Sequence, residues 1–390
     1  MGSVSWNKQP KYYLYVTEHS SCNTEERRER EREREMVEIN LMVWSALKEG
    51  QQNCINSNPN SCSLSAARKR GLVCVTSGNS YLASHIVKEL LAHAYSVRVT
   101  IQYQVDFDDM RELIGDEEID QLESVVVANM GDVDSLSDAF RGCHAIFHTS
   151  SFVDPHGISG YSEWMAVLEA EGAKNVIEAC GRAAYIKRCI FTSSLLASIW
   201  NCDNVDRVVD ETAWSDEDFC RENRLWLALG KTMAEKAAWS KSEEMEVELV
   251  TVCPGLLMAP SFPNAHRETS IPYLKGGQIM LQRGALAIVD AKKVAAAHVH
   301  VYEAMDCGAC GRYFCFQRVV RRLDDAIEVE NGLNMHGLLS DSGGRQQLVL
   351  PEGSGDQEID SNLDNSKLSK LILQASQSLS CKQCCKFSWS

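Results

Sequence analysis

The chain reads as an α/β protein built on a doubly wound parallel sheet, Rossmann-like, with a smaller C-terminal substrate lobe. Three observations carry that reading. From Gly71 onward short β-branched runs alternate with longer amphipathic stretches. The runs are continuously apolar, as strands covered on both faces of a parallel sheet must be. The first run passes through a turn of small residues straight into a helical pattern, the local context of a phosphate-binding turn in such a sheet.

The composition bounds the function classes. With 390 residues, 44% apolar and 24% charged, the chain can bury a full core in one large domain or two closely joined ones. A formal charge of −15 excludes nucleic acid and anionic membrane as main partners, because phosphate binding needs a basic face. No run reaches the roughly 18 apolar residues of a spanning helix, and the N-terminus lacks a secretory pattern. A cytosolic location and a small-molecule partner are therefore expected. The 16 cysteines read as reduced thiols, several lying inside strand patterns as small hydrophobes. Cys307 and Cys310 are too far along the chain from Cys381, Cys384 and Cys385 for finger-like zinc spacing, so no metal is expected.

In chain order, residues 1–70 read as a disordered extension. Its segment "EERREREREREM", Glu25 to Met36, alternates Glu and Arg and can form no core. Such alternation is what a GA-repeat nucleotide tract encodes. Residues 1–35 are expected to be an upstream untranslated stretch read as protein, with Met36 the natural start; finding those residues by peptide mapping of native material would refute this.

A dinucleotide-binding domain is expected over residues 71–253, with strands at "GLVCVT", "SVRVTI", "SVVVA", "AIFHTS", "RCIFTS" and "VELVTVC". A loop, helices and short strands ending in "GRYFCF" form the expected substrate lobe, residues 254–333. Residues 334–390 read as linker and tail, with a short helix at "NSKLSKLILQ".

The stretch "VCVTSGNSYLASHIVKELL" places free N–H groups and a positive dipole end where a pyrophosphate can sit. The chain here resembles the extended short-chain dehydrogenase/reductase family, whose turn runs Thr-Gly-x-x-Gly-x-x-Gly/Ala. Thr76 matches; Ser77, Ser80 and Ala83 stand at the glycine positions, with Gly78 between them. The resemblance makes Thr76, Ser77, Gly78, Ser80, Tyr81 and Leu82 cofactor-binding, and the loss of glycines predicts weakened binding. The end of the second strand, "VRVTIQYQVD", has no carboxylate to grip a ribose 2′-hydroxyl. That disfavours NAD, and Arg98 is expected to face the 2′-phosphate of NADP(H). Relatives carry a second arginine where Gln102 stands. Asn129, followed by Met130, matches the position that bonds the adenine amine.

The stretches "IFHTSS", "RCIFTSSLLAS", "VVDETAWSDEDFC", "GKTMAEKAAW" and "GRYFCF" resemble the cinnamoyl-CoA reductase and dihydroflavonol reductase group. In that group a Ser, a Tyr and a Lys act together: Tyr protonates the carbonyl oxygen as hydride arrives, Lys lowers the Tyr pKa and holds ribose, and Ser orients the carbonyl. The resemblance assigns these places to Ser194, Leu227 and Lys231. The proton donor's position, one helical turn before the lysine, is thus a leucine. Thr149, Ser150 and Ser151 after the fourth strand, and Pro254 and Gly255 after the sixth, fall where relatives meet the nicotinamide end. His148 reads as a strand-end histidine, and Trp164, Trp200 and Trp214 as packing residues. Two functions follow: an NADP(H)-dependent reductase of phenolic carbonyls or thioesters with impaired or altered catalysis, or a catalytically silent nucleotide-binding sensor or partner protein.

Overall fold

The computed structural model describes residues 70–149, 161–183, 185–201, 208–258, 273–322, 324–329 and 362–374. The expected extension before Arg70, Ser150, Ser151 and the cysteines beyond 374 lie outside the described residues.

Seven strands form one parallel sheet in the order β3-β2-β1-β4-β5-β6-β9. They are β1 (Arg70–Val75), β2 (Tyr95–Ile101), β3 (Ser124–Val127), β4 (Ala145–His148), β5 (Arg188–Thr192), β6 (Glu248–Pro254) and β9 (Gly311–Cys315). The order reverses between β1 and β4, which opens a crevice beyond their carboxyl ends. A second, three-stranded sheet runs β10-β8-β7, with β7 (Leu256–Met258), β8 (Ala287–Asp290) and β10 (Arg318–Val319).

The helices are α1 (Tyr81–Ala92), α2 (Asp106–Ile114), α3 (Val133–Ala139), α4 (Glu163–Arg182), α5 (Glu217–Glu222), α6 (Trp226–Met245), α7 (Gly277–Gln282) and α8 (Ala291–Ala304). Side chains alternate across a strand, so Val73 and Val75 of β1 pack with α1, α2 and α8 while Cys74 packs with α3, α4 and α6. Both faces are filled, which is why the strand sequences lack polar alternation. A third apolar cluster lies beyond the strand ends and joins Leu195, Leu196, Trp200 and Leu227 to Met280 and Leu286.

Two expectations of organisation are corrected. The boundary expected after residue 253 is not one in space: β9 pairs with β6 as the seventh main strand, and α8 packs on α1. The lobe chain leaves the main sheet after β6 and returns to it. The described part of the expected tail, residues 362–374, is likewise part of the core. Its helical run over 366–374 buries Leu368 and Ile372 against the main cluster, while Asn365 Nδ2 donates to Phe316 O and Lys367 Nζ to the Arg312 carbonyl. Trp200 is fully packed, but Trp164 is 67% exposed and is no packing residue. Among the described residues no helix is long and apolar enough to cross a membrane.

Candidate functional site

The crevice is floored by residues that follow the strands. Thr76, just after β1, accepts the Thr149 N–H on its hydroxyl oxygen (3.1 Å) and contacts His148 Nδ1 (3.0 Å), while Thr149 Oγ1 donates to the Thr76 carbonyl (2.7 Å). Both threonine side chains thereby join β1 to β4. Burial, aided by the Lys231 ammonium, pushes His148 down to about 3 and leaves it neutral, in keeping with a strand-end residue.

The turn adopts the conformation that its missing glycine would favour. Ser77 has φ +54°, in the left-handed region, and Ser80 caps α1 by accepting the Ala83 N–H (3.2 Å). Gly78 is held by the fold as well: its N–H donates to Thr100 O, and an added Cβ would run into Val99 and Met110. Tyr81 and Leu82 begin the helix, Leu82 buried. A capped helix N-terminus behind a tight turn fits a pyrophosphate.

Arg98 does not face a 2′-phosphate. It lies three residues before the end of β2, and its guanidinium is taken up by Glu123, Ser124 and the carbonyls of Ala139 and Arg141. The expectation is corrected because a mid-strand side chain reaches its strand neighbours, not the strand's carboxyl end. At that end stand exposed Gln102 and Tyr103, joined by an amide-to-hydroxyl bond of 3.1 Å. Asn129 is exposed at the end of β3, its Oδ1 accepting the Gly131 N–H, and Met130 beside it is buried.

Ser194, after β5, accepts the Leu196 N–H on Oγ (3.2 Å) and so starts a 3₁₀ turn over Leu195–Ala197. Pro254 closes β6. Gly255 follows, and a Cβ there would sit 2.5 Å from the Ala287 carbonyl, so this glycine serves the approach of β8.

On α6, Leu227 and Lys231 are one turn apart. Leu227 is buried in the lobe cluster with Leu195, Leu196 and Tyr273. Lys231 Nζ lies 2.5 Å from Glu169 Oε1 of α4, with side chains only 11% and 5% exposed. The other oxygen of Glu169 accepts the hydroxyl of Tyr161, and a Cβ on Gly230 would strike that hydroxyl. The glycine before the lysine thus admits a tyrosine from another part of the chain. Burial and the Glu169 carboxylate push the Tyr161 phenol far above its ordinary pKa, which makes it a poor proton donor. A second phenol, Tyr273, is buried with no hydrogen-bond partner among the described residues, and burial pushes its pKa up as well.

One turn beyond Lys231, Glu235 gathers the strands around the site. It accepts Ser193 Oγ (2.6 Å), Thr251 Oγ1 (2.6 Å) and two bonds from Arg312 (2.8 and 3.0 Å). Arg312 also donates to Ser198 Oγ and lies 3.9 Å over the Trp214 ring. Every partner of this buried pair is a real donor or acceptor, which is the condition for keeping two charges out of water.

Sequence reasoning missed Glu169, Tyr161, Glu235 and Arg312. A signal existed for the two carboxylates: Glu169 falls on the stripe Met165, Ala166, Ala170, Ala173, and Glu235 on the stripe Ala228, Ala234, Ala238, positions a helix buries. A charge on an apolar stripe demands a partner. Among the described residues no cluster of three or more His, Cys, Asp or Glu could hold a metal.

Comparisons agree with this architecture. The model of the 3-beta hydroxysteroid dehydrogenase/isomerase family matches residues 74–304. Cinnamoyl-CoA reductase 1 of Petunia hybrida is 38% identical over 267 residues, covering 66% of this chain and 76% of its own. Cinnamoyl-CoA reductase 2 of Arabidopsis thaliana is 37% identical over 266 residues, with the same coverage. Among solved structures, vestitone reductase of Medicago sativa is 26% identical with a TM-score of 0.54, covering 77% of this chain and 92% of that one. A yeast methylglyoxal/isovaleraldehyde reductase complexed with NADPH, 20% identical with a TM-score of 0.58 and the same coverage, shares the fold.

Proposed function

Because the chain belongs to the 3-beta hydroxysteroid dehydrogenase/isomerase family, we propose that it binds NADP(H) and acts as a cinnamoyl-CoA reductase-like protein on a phenolic carbonyl or thioester, with catalysis crippled at the protonation step. The carrying observation is Lys231 in place with buried Leu227 one turn before it. The choice of NADP(H) rests on the relatives, since Arg98 is engaged elsewhere. A place in phenylpropanoid-type metabolism and a cytosolic location belong to the same reading.

When bound, the reduced dinucleotide supplies a hydride. The Ser77–Ser80 turn and the N-terminus of α1 receive its phosphates, and Lys231 holds ribose. Ser194, whose Oγ accepts one backbone N–H, keeps its own O–H for the carbonyl oxygen. What that oxygen lacks, among the described residues, is an acid. Leu227 offers none, and Tyr161 already donates to Glu169.

Losing general-acid assistance costs about 10²- to 10⁴-fold in rate. Turnover of feruloyl-CoA with NADPH is therefore expected to lie near background for the native chain and to rise by about 10²-fold in Leu227→Tyr. Strong turnover by the native chain would overturn the account of the missing acid.

The silent binder is a second reading, favoured by the tight pairing of Lys231 with Glu169. It expects NADPH to bind, as read by cofactor fluorescence, with no turnover until Leu227 is replaced. Absence of binding at millimolar NADPH would discard both readings.

A further inference from the structure

Lys231 would sit at the nicotinamide end of the crevice, and its ammonium is not open. Glu169 Oε1 lies 2.5 Å away in a pocket where the two side chains are 11% and 5% exposed. The carboxylate is held from its other side by Tyr161, which enters the space that Gly230 leaves free. Glu169 belongs to α4 and Lys231 to α6, the two longest described helices, which pack along each other. The contact is thus fixed by the core and not by a mobile loop. Charge bookkeeping follows directly. A lone buried ammonium in the crevice attracts a polyanionic dinucleotide, whereas an ammonium matched by a buried carboxylate presents no net charge to it.

We propose that Glu169 is the positioning residue for Lys231: it holds the ammonium against α4 and neutralises it, and so sets a weak grip on the nicotinamide dinucleotide. The inference rests on the reading that Lys231 holds the ribose. It adds a second feature beside the leucine that removes the acid: a carboxylate that takes over the lysine. Tyr161 is the third member, a hydroxyl that keeps Glu169 in register and takes no part in proton donation.

NADPH fluorescence titration of the full chain, with a thermal melt of each variant, tests this. Glu169→Gln keeps the size and an acceptor for Tyr161 but removes the charge, and it is expected to lower the NADPH Kd by about tenfold, equivalent to about 1.4 kcal/mol. Lys231→Met is expected to raise the Kd by about the same factor. A cooperatively melting Glu169→Gln that binds NADPH no tighter than the native chain, beside a weakened Lys231→Met, overturns the role of Glu169 and leaves the ribose reading intact. Native-like binding by Lys231→Met sinks the ribose reading and this inference with it. Where Glu169→Gln loses its cooperative melt, Glu169→Leu reads the same quantity: it removes the carboxylate and fills its space with apolar atoms, so tighter NADPH binding is expected, and unchanged or weaker binding overturns the proposal.

Discussion

At the scale of single residues, the site is decided by which charges already have partners. Arg98 donates to Glu123, Ser124 and two carbonyls with a side chain 14% exposed. Its removal strands those acceptors, and a hydrogen bond to a charged group is worth roughly 1.5–3 kcal/mol. Arg98→Met is accordingly expected to lower the urea-denaturation free energy by about that amount and to leave the NADPH-to-NADH affinity ratio unchanged. A switch in that ratio would restore Arg98 as a phosphate ligand. The identity of Leu227 was plain from its spacing to Lys231, a fact of linear sequence. The partners of Lys231 were not, because Glu169 lies 62 positions earlier and meets it only through helix packing.

At the scale of elements, the turn between β1 and α1 shows how small residues do a glycine's work. Ser77 takes the left-handed conformation, at a cost of roughly 1–2 kcal/mol for an L-residue. Ser80 compensates as the N-cap of α1. Gly78 is the residue that the fold cannot exchange, since Val99 and Met110 occupy the space of its Cβ. Gly78→Ala is expected to cost about 1–3 kcal/mol by overpacking, and Ser80→Ala about 1 kcal/mol by loss of the cap, each read from a chemical-denaturation midpoint. Equal stabilities for Gly78→Ala and the native chain would mean that β2 and α2 yield more easily than their burial implies. The sequence shows the turn and its substituted glycines and, by resemblance, counts Gly78 as cofactor-binding, but it does not show that Gly78 is needed for packing, because the neighbours come from β2 and α2.

At the scale of the whole molecule, buried histidines couple the fold to pH. Burial pushes His148 down to about 3 and His298 to about 4; burial, then Lys88 and Lys292, lowers His85 to about 4. His298 is held neutral between the Val294 carbonyl at Nδ1 and the Thr192 hydroxyl at Nε2, each at 2.7 Å. The unfolded chain takes up protons near 6.5 that the folded chain refuses, so stability is fully present above that pH and is lost as pH falls toward 4. His93 has the opposite sign: its bonds to Glu303 and Glu89 raise it to about 9, so its contribution is fully present below 6.5 and lost as pH rises through 9. Below about pH 5.5 His93 is charged in both states and adds no slope. The melting temperature is therefore expected to fall on acidification below about pH 5.5; a flat profile would show that the buried rings open to solvent before the fold melts. The six expected strands all stand in the main sheet. The sequence puts the seventh, β9, in the lobe because the chain makes a long excursion before returning to β6, and an apolar run does not state its sheet neighbour.

The sequence by itself determined the parallel sheet, the turn of small residues between β1 and α1, and the absence of a tyrosine one turn before Lys231. These are properties of periodicity and local spacing, which a linear string carries in full. Only the tertiary structure decided that Glu169 holds Lys231, that Tyr161 stands beside Gly230, that Arg98 is consumed within the sheet, and that the tail helix completes the core. The physical reason is that hydrophobic pattern reveals which face of an element is buried, whereas the charge and shape of what it meets depend on residues brought together from distant parts of the chain.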